Sequence, residues 1–158
     1  MQKIWIYTLS KQLSFEQEID LTQRCQSFVT SWTAHDISLD AGFELYNHRL
    51  LIFKVDETKY AASGCSIDKQ LRLVKELEQV FSIELLNRLL VAYENVGTSS
   101  ASATTTIEVI KASEVKELLA NNSISKNTLV FDNSITTSNE LATNWKKPLS
   151  ETYLAKYL

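Results

Sequence analysis

Chain breakers are scarce in this 158-residue protein: one proline, Pro148, and three glycines, Gly42, Gly64 and Gly97. That scarcity excludes collagen-like and Pro/Gly-rich disordered classes. Three scattered glycines cannot build a G-x-x-x-x-G-K-[ST] phosphate loop or a G-x-G-x-x-G turn, so no nucleotide cofactor motif is present. Two cysteines, Cys25 and Cys65, are too few for a disulfide framework. With only His35 and His48 beside them, at wide spacing, no zinc site is expected. Basic excess is also missing. Lys and Arg number 16 against 19 Asp and Glu, a net charge of −3, which leaves no electrostatic footprint for nucleic acid. No segment approaches the ~20 apolar residues of a membrane-spanning helix. The N-terminal run is too short for a secretory signal core and has no small-residue cleavage site. A cytoplasmic protein with no membrane partner is the expectation.

What the chain does have is 44% hydrophobic residues, enough for one packed domain or a small domain with an extension. Ile4 to Leu9 alternate β-branched and aromatic side chains and read as a strand. Ser14-Phe15-Glu16-Gln17 has the form of a capping box, opening a helix to about Trp32. Leu21, Cys25, Phe28, Val29 and Trp32 share one face of it, so Cys25 reads as core. After the polar connection Thr33 to Asp36, two strands follow at Phe43–Tyr46 and Leu50–Val55. Asn47-His48 between them suits a tight hairpin. The second strand is apolar on both faces, which argues for a central position. A helix from about Ile67 to Phe81, burying Ile67, Leu71, Val74, Leu77 and Phe81, precedes a strand at Leu89–Tyr93.

The order β-α-β-β-α-β predicts an α+β fold, a ferredoxin-like split βαβ sandwich over residues 1–96. Residues 97–106, Gly-Thr-Ser-Ser-Ala-Ser-Ala-Thr-Thr-Thr, read as a polar linker. Residues 107–158 read as a β-α-β-α extension docked on the core. A second capping box stands at Thr137 to Glu140, and Tyr153 to Leu158 carry an apolar stripe. The exposed face of the expected sheet would be apolar, so the extension from Ile107 onward, a second copy of the chain or a ligand should cover it.

The densest chemistry lies at Ser63-Gly64-Cys65-Ser66, between strand and helix. A helix start presents unpaired N–H groups and a partial positive charge, and Gly64 lets the backbone turn or approach a ligand closely. In the expected topology the loop carrying His35 and Asp36 reaches the same edge, with Glu94 and Asn95 nearby. Three functions follow. The first is a small-anion binding or regulatory module using Ser63, Gly64, Cys65, Ser66 and Asp36. The second is a thiol enzyme with Cys65 as nucleophile, His35 as base, and Asp36 or Asp56 orienting the imidazole. The third is an interaction module, possible as a homodimer, working through the apolar sheet face or the tail. The same residues also read as a plain cap, with Ser63 or Ser66 closing the helix and Asp68 complementing its dipole.

Trp32-Thr33-Ala34-His35, Ala62 through Asp68, Lys75-Glu76-Leu77-Glu78 and Val91-Ala92-Tyr93 together resemble an uncharacterised family of short bacterial proteins. Its members are often labelled "ABC transporter ATPase". The likeness covers most of residues 1–96 and, more loosely, Leu129 to Asn133. It implies a cytosolic bacterial protein. Without a Walker motif, no ATPase residue carries over.

Overall fold

Two capping boxes set the frame of the helical layer. The Ser14 hydroxyl accepts from the Gln17 N–H while the Gln17 side chain accepts from the Ser14 N–H, opening α1 (Phe15–Ser31) as its sequence predicts. Ser63 and Ser66 form the same reciprocal pair ahead of α2 (Gly64–Phe81), which therefore begins three residues before the expected Ile67. The earlier start comes with a rotated stripe. Ser66, Gln70, Leu73, Val74, Leu77 and Phe81 face inward, while Ile67 and Leu71 are only half-buried. The computed structural model describes residues 1–99 and 102–158, which form a mixed α+β fold with antiparallel sheets.

The first sheet has the order β1 (Gln2–Thr8), β5 (Leu50–Asp56), β4 (Asp40–Tyr46), with β5 in the centre. Asn47 and His48 both take left-handed φ, 46° and 66°, at the tight turn joining β4 to β5, a geometry Asn tolerates well. Leu51 and Phe53 pack with Leu9, Leu21, Cys25, Val74 and Leu77 under the two helices. Cys25 is core as expected, and burial pushes its thiol up to about 12.

The expected ferredoxin-like closing strand is not beside β1. Residues Leu90–Ser99 (β6) pair instead with Ser102–Lys111 (β7), in register from Leu90↔Lys111 to Ser99↔Ser102. The nearby downstream partner wins because closing a short loop costs little entropy. With β8 (Leu129–Phe131) and β9 (Lys146–Pro148) they make a second sheet, ordered β7-β6-β8-β9. The segment expected as a linker is therefore largely strand. Residues 97–99 end β6 and 102–106 begin β7, while 100 and 101 lie outside the described residues. β-Branched Thr104, Thr105 and Thr106 suit a strand once a partner is alongside. Among the described residues the outer edge of β1 receives a bridge, Lys3↔Thr137, and a bond from the Ile4 N–H to the Thr136 carbonyl at 2.9 Å.

The two sheets meet face to face. Ile4, Leu50 and Ile52 of the first pack with Ala92, Ile107, Phe131, Ile135 and Trp145. That apolar face is covered. The far side of the second sheet buries Val91 and Val130 against Val115 of α3 (Val115–Ala120), Ile124, Leu149 and Leu154. α4 (Ser138–Thr143) opens on the Thr137–Glu140 box and ends before Pro148. Among the described residues no helix is long and apolar enough to cross a membrane.

Candidate functional site

His35, expected at the same edge as the start of α2, lies at the tip of a small hairpin that the sequence reads only as a polar connection. β2 (Thr33–Ala34) and β3 (Ile37–Ser38) pair as Ala34↔Ile37, joined by His35 and Asp36. Both turn residues are left-handed, φ 50° and 62°, the type I′ geometry of two-residue hairpins. Ala34 and Leu39 anchor the hairpin against Trp32 and Val55. Bonds at Trp32 and Thr33 tie its base to α2. The buried Trp32 indole N–H donates to the Ser66 carbonyl at 2.8 Å, and the Lys69 ammonium donates to the Thr33 hydroxyl at 3.0 Å.

Each backbone N–H at the start of α2 can be followed. Ser66 N–H goes to the Ser63 hydroxyl, Ser63 N–H to the Ser66 hydroxyl and Ile67 N–H to the Ser63 carbonyl. Ala62 N–H goes to the Glu57 carboxylate at 2.9 Å. Among the described residues the N–H groups of Gly64 and Cys65 have no protein acceptor, and both residues are exposed. Gly64 does not have the left-handed backbone its residue type permits, and a Cβ there would meet no atom within 4 Å.

His35 and Asp36 are exposed at the hairpin tip. Among the described residues no hydrogen bond joins either of them to Cys65. Asp56, the other candidate to orient an imidazole, spends its carboxylate on the Thr58 hydroxyl and N–H. Those two bonds, the hydroxyl first, hold its pKa below the usual carboxylate range. Glu94 belongs to a different place. It bonds Lys146 of β9 within the second sheet, near Tyr46 at the opposite end of the first sheet.

Compared with family models, curated proteins and solved structures, the chain matches none.

Two buried polar residues escape a sequence reading. Gln70 is fully buried, accepting from the Tyr7 hydroxyl while its amide nitrogen has no partner. Burial pushes the Tyr7 phenol up to about 12, so it remains a donor. The available signal was phase: Gln70 lies four residues after Ser66 on the inward stripe, once α2 is begun at Gly64. Arg49 is 8% exposed and donates to the Leu9 and Ser10 carbonyls, with Nε unpartnered. Burial lowers its pKa against the opposing field of Glu108. Nothing in the order Asn-His-Arg-Leu marks an arginine for burial. A groove of about 500 Å³ between α3 and the Tyr157–Leu158 tail, edged by Lys116 and Lys126, shares no residue with the α2 edge.

Proposed function

We propose that the protein is a small-ligand binding module, taking an anion such as phosphate or sulfate at the Ser63–Ser66 edge. One observation carries the reading: the cap satisfies the surrounding N–H groups, yet among the described residues those of Gly64 and Cys65, both exposed residues, have no acceptor. Paired N–H groups at the positive end of a long helix suit an anion. The hairpin that carries His35 is tied at its base to α2 by the Trp32 and Lys69 bonds.

A thiol enzyme has less support. Nucleophilic catalysis needs a base within hydrogen-bond reach of the thiol, and His35 makes no such bond. The likeness to the bacterial family labelled "ABC transporter ATPase" adds no ATP chemistry, since the chain has no phosphate loop.

Thermal unfolding in rising phosphate, sulfate and nucleotide tests the reading. A ligand that binds only the folded state stabilises it by about 2.7 kcal/mol at a hundred times its Kd. A saturating rise in Tm is expected with at least one of these anions. A flat response across the panel rejects the site.

A further inference from the structure

β7 lies at the edge of the second sheet, and among the described residues no strand pairs with its outer side. The register fixes which backbone groups face outward. The Ala112 N–H donates to the Leu89 carbonyl at 2.8 Å, one step beyond the Leu90↔Lys111 pair. Hydrogen-bonded pairs alternate along an antiparallel ladder, so Thr104, Thr106, Glu108 and Ile110 bond to β6. The N–H and C=O groups of Ala103, Thr105, Ile107, Val109 and Lys111 point the other way. The Lys111 N–H is closed by the Glu114 carboxylate at 2.7 Å, which leaves Ala103, Thr105, Ile107 and Val109 as an open row.

This row lacks the usual protection of an edge. Charge, proline or a covering segment normally keeps such strands from pairing with another chain. From Asn95 to Ile107 the sequence has no charged residue and no proline. β8 pairs with β6 only at Tyr93, and residues 95–97 and 103–106 beyond it are exposed, Val96 to 57%. A two-stranded ribbon projecting this way is marginal by itself.

We propose that the outer edge of β7 pairs antiparallel with the same edge of a second copy of this chain, about a two-fold axis at Thr106. Self-pairing is favoured by the register. With the axis at Thr106, Ala103 meets Val109 and Thr105 meets Ile107, so every residue of the open row finds a partner. Glu108 then faces Thr104. Moving the axis to Ile107 sets Ala103 against Lys111, whose N–H is already taken, and moving it to Glu108 sets two carboxylates against each other. A two-fold pairing of this kind closes on itself and stops at the dimer.

Sedimentation of the full chain over a concentration series, with hydrogen exchange alongside, tests the proposal. The expected mass is that of two copies, dissociating on dilution. The amides of Ala103 and Thr105 should be protected only in the dimer, and those of Thr104 and Thr106 at every concentration. Thr105→Pro removes an outward N–H without touching the β6 ladder, a position where an edge strand accepts proline. It should give a monomer with unchanged circular dichroism, and Thr105→Lys should do the same by charge. A wild-type chain that stays monomeric, a Thr105→Pro dimer, or fast exchange at Ala103 and Thr105 at high concentration would each overturn it. So would a monomer whose edge takes up an unrelated extended peptide.

Discussion

Replacing Gly64 with proline separates the two roles of the first turn of α2. Position N1 is where helices best accept proline, because its N–H has no helical acceptor and its φ already matches. The residue before a proline must be extended, and Ser63 is, at φ −98° and ψ 168°. A side chain at residue 64 meets open space, and the Ser63–Ser66 bonds do not involve the Gly64 N–H. The substitution should therefore stabilise by about 0.4–1 kcal/mol, by removing freedom from the unfolded chain. For a chain of this size that is a Tm rise of about 1–4 °C. The same change deletes one of the two free amide donors. A hydrogen bond to a charged group contributes about 1.5–3 kcal/mol, so phosphate affinity should fall by about ten- to a hundredfold. Gly64→Ala is the control, since it restricts the backbone but keeps the N–H. Calorimetric unfolding and a phosphate titration followed by amide chemical shifts give the two readouts. A lowered Tm would refute the N1 assignment. Equal phosphate affinity in wild type, Gly64→Pro and Gly64→Ala would refute the binding edge.

Three further outcomes are expected. Thiol labelling of the folded protein should modify exposed Cys65 alone, with buried Cys25 reacting only after denaturation; two fast thiols would contradict the packing under α1. Tyr7→Phe should cost about 1–3 kcal/mol by leaving buried Gln70 wholly unpartnered, and adding Gln70→Met should recover most of that, because removing both partners is far cheaper than removing one. A denaturant midpoint unmoved by Tyr7→Phe would count against the bond. Asp132 carries a pH signature. Partial burial pushes its carboxyl up, but the Ser134 hydroxyl and N–H and the Lys147 ammonium at 3.2 Å outweigh this and leave it below 3.8. A depressed acid stabilises above its unfolded value and loses that contribution as pH falls through the folded one. Asp132→Asn should thus be less stable at neutral pH, with the gap closing below pH 3.8. A gap constant with pH would refute the assignment.

Local chemistry was legible wherever it is self-contained. The Ser14 and Thr137 boxes each complete their bonds within four residues, so their helices start where the residue types say. Asn47-His48 likewise announces its own turn. Pairing choices were not legible. The β-α-β-β-α-β pattern is present along the chain, but which edge β6 joins depends on competition between β1 and a strand not yet reached. Ser, Ala and Thr in residues 97–106 look like a linker because a strand stretch exposed on both faces, as 103–106 are, shows no apolar alternation. At the α2 edge, the hairpin that carries His35 reads in sequence only as a polar connection, and its base is tied to the helix. The bonds that hold it there, from Trp32 and Lys69, come from residues that read as core and as solvated charge.

The face-to-face packing of the sheets has a consequence for how the protein is made. Ile4, Leu50 and Ile52 leave the ribosome long before Phe131, Ile135 and Trp145, which cover them, and the Ile4 N–H waits for the carbonyl of Thr136. During translation β1, β4, β5 and both long helices can assemble while one whole side of their sheet is still bare. Chains grow at about 5–20 residues per second and exposed apolar surface invites aggregation, so for several seconds the nascent protein depends on whatever shields that side. The same interval makes synonymous changes that slow translation between residues 60 and 130 candidates to alter yield while leaving the finished protein identical.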